Sequence, residues 1–168
     1  VVGSTPKSAT LYASIVKNGV YGTDIMTAEV SKTVENAYRD VQIAFANEVA
    51  LLCESFSIDV YDVRRFVNGL PNDTSAPHAN PVRNMHSPGA AVGGHCLPKD
   101  TRLLMHGYNK YTDSKNQYPS SLLTSARYFN DWMPVHMVDL LEMALREAKK
   151  ELKGSVICVL GYAFLENS

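Results

Sequence analysis

The chain has 168 residues, with 16 Lys and Arg against 17 Asp and Glu for a formal net charge of -1, and 45% of it is apolar. That length suits about one domain with a sizeable core, and a near-neutral balance without a basic run argues against nucleic acid or an anionic membrane surface as the main partner. No apolar stretch approaches the roughly 20 residues that span a bilayer, and no charged-then-apolar leader opens the chain, so a cytoplasmic location is expected. Cys53, Cys96 and Cys158 are widely spaced and odd in number, which reads as free thiols and not a disulfide framework.

In chain order, Thr5-Pro6 sets a capping hydroxyl before a proline at the first helical position, predicting a short helix to about Lys17. From Asp24 to about Ser57, Ile25, Ala28, Val34, Ala37, Tyr38, Val41, Phe45, Val49 and Leu52 recur at three- and four-residue steps. That is the stripe of a long amphipathic helix. Some 30 residues span roughly 45 Å, long enough for an interdomain backbone or a dimer seam. Asp59 can cap a short helix through Val67, stopped by Asn68-Gly69. From Leu70 to His95 the chain is rich in Pro, Asn, Ser and Gly without a period, and loops of that length are usually functional.

Another helix is expected from Pro98 to His106, with Gly107 past its end. Pro119 to Leu152 predicts a second long helix, kinked or left with one free carbonyl at Pro134. Its Leu122, Tyr128, Trp132, Val135, Val138 and Leu140 read as core or dimer contact. The run Ser155 to Gly161 resembles a buried strand entering a glycine turn. It has no ladder partner within the chain, so it reads as the first strand of a further α/β domain, and the chain as a piece of a longer protein. Cys53 on the long helix and Cys158 in the strand read as core residues.

The segment from Ser87 to Asp100 concentrates the candidate chemistry. Gly93 and Gly94 let the backbone pass close to a ligand. Cys96 falls at the N-terminal edge of a helix, where the dipole and free amides favour a thiolate, and His95 and Lys99 can add positive charge. Such a cysteine suits nucleophilic attack on a carbonyl. Asp100 lies four residues on, able to share its face or to serve as a first-turn carboxylate. Lys32 and Asn36, one turn apart on the long helix, could stabilise an oxyanion; the bland alternative is a solvated helix face. His95-Cys96 has no Cys-x-x-Cys or paired-histidine context, so no metal is assigned. Gly93-Gly94 is not a dinucleotide fingerprint.

These residues resemble a known family. The runs Ala28 to Asp40, Ala46-Asn47-Glu48 and Gly93-Gly94-His95-Cys96-Leu97-Pro98-Lys99-Asp100, continued by Asn130, Met133, Pro134 and Val159 to Ala163, are similar to the nucleotide-sugar 6-dehydrogenases, the UDP-glucose/GDP-mannose dehydrogenase family. The resemblance implies a mainly α chain: a helical central (dimerisation) domain with two long helices, flanked by truncated α/β Rossmann-like pieces at both ends. On that plan 1–22 is the tail of an NAD-binding domain, 23–152 the central domain, and 153–168 the opening of a nucleotide-binding domain. NAD is the implied cofactor, held mostly outside this chain, and a homodimer through the long helices is the implied assembly.

By the same resemblance the substrate is a UDP-sugar whose C6 alcohol becomes a carboxylate. Cys96 is then the nucleophile toward the C6 aldehyde, through a thiohemiacetal and a thioester. Lys32 and Asn36 support proton transfer and hold the C6 oxygen, and Asp100 assists Cys96 and the hydrolytic water. Arg83 resembles an arginine reaching a neighbouring subunit's substrate, while Gly93, Gly94, His95 and Lys99 belong to the binding segment. Gly-Gly-His-Cys resembles members acting on UDP-N-acetylhexosamines such as UDP-N-acetylmannosamine. Ala90-Ala91 replaces the family's Pro-Gly; a positive φ at that place would strain Ala91 by of order 1 kcal/mol or force another path. A dimerisation scaffold without activity of its own is the alternative function, and a cysteine hydrolase using Cys96 and His95 a weaker third.

Overall fold

Asp24, Asp59 and Ser121 each start a helix by taking up a free amide of its first turn. The computed structural model describes residues 2–3, 6–69, 84–113 and 121–161. At the amino end β1 (Val2–Gly3) and β2 (Gly22–Thr23) pair in parallel, Val2 opposite Gly22, with helix α1 (Pro6–Ala13) between them. The expected cap Thr5 lies outside the described residues. Helix α1 ends at Ala13, short of Lys17. There Ser14 Oγ donates to Leu11 O at 2.7 Å, a local bond that competes with helix continuation.

Asp24 opens the long helix α2 (Ile25–Phe56) by accepting from Thr27 N at 2.9 Å and Thr27 Oγ1 at 2.6 Å. Ser57, in the left-handed region at φ 56, closes it. As expected, Asp59 caps α3 (Val60–Asn68), accepting from Tyr61 N at 2.8 Å. Gly69 closes it, where a Cβ would come within 2.9 Å of Arg65 O.

Helix α4 (Leu97–Tyr111) runs straight through Gly107, which corrects the expected stop. Gly107 has neither a positive φ nor a neighbour within 4 Å of an added Cβ, so nothing there demands a terminator. Helix α5 (Leu122–Glu147) starts at Ser121 and carries Pro134 inside it. Proline has no amide hydrogen, so the Asn130 carbonyl loses its helical donor.

The core lies where α2 packs on α4 and α5 and α4 on α5. It is built of small and polar residues. The buried positions of α2 are Asn36, Ala37, Asp40, Ala44, Ala46, Asn47, Ala50 and Cys53. At about 100° per residue, Asn36, Asp40 and Asn47 fall within roughly 40° of one another. Ala37 of the predicted apolar stripe is buried, while Val34, Tyr38, Phe45 and Leu52 lie on the opposite side and are all exposed. On α5 likewise Leu122, Tyr128, Val135 and Val138 point outward, while Ala126, Arg127, Asn130 and Met133 are buried. Within this chain most large residues of the two stripes therefore lie outside the core.

At the carboxyl end no strand forms among the described residues. Val156, Val159 and Leu160 are 98%, 83% and 91% exposed and Cys158 is exposed too, which corrects its placement in a core.

Candidate active site

Cys96 occupies the N-cap of α4 with its thiol exposed and no capping hydrogen bond of its own. The helix that follows carries Pro98 in its first turn, where a fixed φ is suited. Lys99 N and Asp100 N close that turn on Cys96 O at 3.2 and 2.9 Å. Before the cysteine, Gly93, Gly94 and His95 form an exposed segment, in which Gly94 takes φ +85, a conformation L side chains rarely adopt. Ala91 has no positive φ. The loop therefore takes a path that alanine tolerates, and the anticipated strain is absent.

Asp100 is the buried end of the site, 4% exposed. Its Oδ2 accepts from Asn36 Nδ2 at 2.6 Å, and its Oδ1 pairs with Lys99 Nζ. Those two contacts, the lysine first and then the amide, hold the carboxyl below its ordinary range against the opposing effect of burial. Lys32 also bears on it through space. The ammonium of Lys32 is itself held charged, foremost by its 2.8 Å pair with Glu35 and further by Cys96 and Asp100. Lys99 is pushed the same way, foremost by Asp100 and also by Cys96. Thiol, carboxylate and two ammonium groups thus share one electrostatic neighbourhood at the start of α4.

The solvated-face alternative separates by residue. Lys32 is exposed, and a surface pair with Glu35 of the kind that contributes little leaves it free to turn to a ligand. Asn36 is buried, and its Nδ2 carries a second hydrogen beyond the one given to Asp100. Arg83 lies outside the described residues.

Sequence reasoning missed the polar layer beneath the site. Asp40, 0% exposed, accepts from Thr101 Oγ1 at 3.0 Å, Arg127 Nη1 at 2.7 Å and Asn130 Nδ2 at 2.8 Å. Asn130 Oδ1 accepts from Asn47 Nδ2 at 3.0 Å, and Asn47 Oδ1 accepts from the amide of Gly89 at 2.9 Å. Arg127 Nη2 is also 3.1 Å from Asp131 Oδ1, an ion pair outside hydrogen-bond geometry, so Nε and Nη2 have no hydrogen bond among the described residues. The missed signal was the 36, 40, 47 spacing of polar residues on one helix face. A second anchor holds the loop further back. Asn68 donates from Nδ2 to Met85 O at 3.1 Å and accepts from Met85 N at 2.8 Å, while Arg64 Nε donates to the same carbonyl at 2.9 Å.

Among the described residues, no three His, Cys, Asp or Glu side chains gather as a metal site, and no helix is long and apolar enough to cross a membrane. Nor does any described segment form the glycine-rich strand-to-helix turn that cradles a dinucleotide, so no residue named here is assigned to NAD.

Residues 26–132 match the model of the UDP-glucose/GDP-mannose dehydrogenase family, central domain. A UDP-N-acetyl-D-mannosamine dehydrogenase of Pyrococcus horikoshii is 38% identical over 92% of this chain and 32% of its own length. One from Yersinia pestis is 32% identical over 96% of this chain and 36% of its own. Among solved structures, an NDP-N-acetyl-D-galactosaminuronic acid dehydrogenase from Methanosarcina mazei superposes with a TM-score of 0.73 at 39% identity, covering 88% of this chain and 30% of that one. The chain spans about a third of the length of these relatives.

Proposed function

This chain belongs to the UDP-glucose/GDP-mannose dehydrogenase family, whose central domain it contains, and from that premise we propose that it is the catalytic middle part of an NAD-dependent enzyme oxidising the C6 alcohol of a UDP-sugar to a carboxylate. The observation behind the proposal is the exposed Cys96 at the head of α4, set beside a buried Asp100–Asn36 hydrogen bond and two lysines. Residues 1–22 and 153–168 are, on this reading, the edges of the flanking NAD-binding and nucleotide-binding domains. Bound there, NAD supplies the hydride acceptor for both oxidations.

The residues of this chain supply the rest. The Cys96 thiolate adds to the C6 aldehyde as a thiohemiacetal, and the second oxidation leaves a thioester that water cleaves to the acid and free thiol. Lys32 and the second amide hydrogen of Asn36 face the developing C6 oxyanion, where a preorganised donor acts most strongly. Asp100, kept ionised by Lys99 and Asn36, orients the hydrolytic water. Lys99, Gly93, Gly94 and His95 line the binding segment, with Arg83 reaching a neighbouring subunit's substrate. His95 before the cysteine, together with the substrates named for the relatives, favours a UDP-N-acetylhexosamine such as UDP-N-acetylmannosamine. The enzyme works as a homodimer in the cytoplasm.

The test is NADH formation by the full-length protein offered UDP-N-acetylmannosamine, UDP-N-acetylglucosamine and UDP-glucose in parallel. Two NADH per N-acetylhexosamine are expected. Turnover of UDP-glucose alone would discard the sugar assignment, and silence with all three would leave a dimerisation scaffold. Cys96→Ala is expected to abolish acid formation, and undiminished acid would remove its role. Lys32→Ala is expected to lower kcat by roughly 100-fold, the scale of one lost oxyanion donor; a change confined to KM would count against it.

A further inference from the structure

Cys96 makes no side-chain hydrogen bond at its cap position, and both it and the three residues before it are exposed. Its position must come from the backbone on either side. Seven residues before it, the Gly89 amide donates to Asn47 on α2. Five residues after it, the Thr101 hydroxyl donates to Asp40, also on α2. These two anchor points are joined inside the core: Asn47 donates to Asn130 at 3.0 Å and Asn130 donates to Asp40 at 2.8 Å.

We infer that Asn47, Asn130 and Asp40 form one buried relay that positions Cys96, holding the chain before it at Gly89 and after it at Thr101. Asn47 and Asp40 are 0% exposed and Asn130 and Thr101 1%, so none of the four can touch a substrate. They are positioning residues, not catalytic ones. Several features set the relay apart from ordinary core packing. Asn47 directs its carbonyl oxygen to the loop and its amide to α5. Asn130 donates to both the side chain and the backbone carbonyl of Asp40. Arg127 holds Oδ1 of Asp40, so Oδ2 cannot rotate away from Thr101 without breaking a charged bond. Asp100, the neighbour of Thr101, meets Asn36 one turn earlier on the same face of α2. One helix face therefore fixes the loop, the first turn of α4 and the site carboxylate together. A displacement of about 1 Å at a nucleophile is enough to cost a large factor in rate. The inference deepens the proposed function and rests on it for the chemical role of Cys96.

The experiment uses the full-length protein and a readout that needs no turnover: peptide-resolved alkylation of Cys96 by iodoacetamide, measured against glutathione in the same tube. Asn47→Ala and Thr101→Val are each expected to change the Cys96 rate by about threefold, because a displaced thiol meets altered exposure and neighbours, with Thr101→Ser keeping the wild-type rate. Should Asn47→Ala fail to fold, the Thr101 pair decides alone, because valine keeps the shape of threonine without the hydroxyl given to Asp40, while serine keeps that hydroxyl and loses only a methyl. In the turnover assay kcat is expected to fall in the same order while KM for the sugar stays within about twofold. An unchanged Cys96 rate in folded Thr101→Val, or no recovery in Thr101→Ser, overturns the relay. A wild-type protein that makes no NADH while its Cys96 still responds to Thr101→Val overturns the proposed enzyme and supports the relay.

Discussion

Asp100 shows how a single carboxylate can be both a structural member and a chemical group. Lys99 and Asn36 favour its ionised form, so its pKa in the folded chain lies below the ordinary value of 3.8. For a carboxyl depressed on folding, the stabilising contribution is complete above the unfolded value and fades as pH falls through the folded one. Asp100→Asn keeps the shape and removes the charge. The melting temperatures of wild type and Asp100→Asn are expected to differ at pH 7 and to converge as pH drops below about 4. A gap independent of pH would show that Asn36 and Lys99 do not prefer the carboxylate. Cys96 and Asp100 were legible in the sequence because a Gly-Gly pair, a cysteine and a proline mark a helix start within a few residues. Asn36 was half legible, since its spacing from Lys32 could be seen but its burial could not.

At the scale of the element, α2 inverts the usual economy of an amphipathic helix. Its inward face holds alanines, Cys53 and three polar side chains, and the largest fully buried side chains among the described residues are Asn47, Asn130, Thr101 and Asp40. Hydrophobic periodicity located α2 to within a residue at each end and left its core face unassigned. The period reports that two faces differ, not which one α4 and α5 cover. Small residues let the helices approach closely, and the polar ones then need partners, which only long-range contacts supply. Such pairs, 40 with 127 or 47 with 130, leave no local trace in a single sequence. Their energetic weight is testable. Arg127→Met leaves the Asp40 carboxylate buried without its cation, which is expected to lower unfolding stability by about 3–5 kcal/mol in urea titration. Adding Asp40→Asn to that variant removes the stranded charge and is expected to recover part of the loss. A single-mutant cost under about 1 kcal/mol would mean the pair is dispensable.

At the scale of the whole molecule, the displaced stripe becomes the main question of assembly. Val34, Tyr38, Phe45, Leu52 and Phe56 are 43%, 64%, 58%, 51% and 66% exposed. Steps of four, seven, seven and four keep them within roughly 40° of one line that runs about 33 Å along α2. A contiguous apolar line of this size on a surface marks an interaction face. Its near-even spacing also suits a second copy of the same helix, because two antiparallel α2 helices related by a two-fold axis present identical residues to each other. Phe45, the midpoint of the stripe, then lies nearest the axis and meets the partner's stripe on both sides. Phe45→Glu places two like charges close to that axis in a desolvated seam, while in the monomer it only makes an exposed site more polar. The expectation is a dimer for the wild-type chain by size-exclusion chromatography with light scattering, and a monomer for Phe45→Glu with an unchanged circular dichroism spectrum. A wild-type monomer, or a Phe45→Glu dimer of undiminished mass, would move the interface off α2. The outcome also bears on the active site: α2 holds Asn36, Asp40 and Asn47 on its inner face, so a partner pressed on the outer face would stiffen the same rod that fixes Cys96.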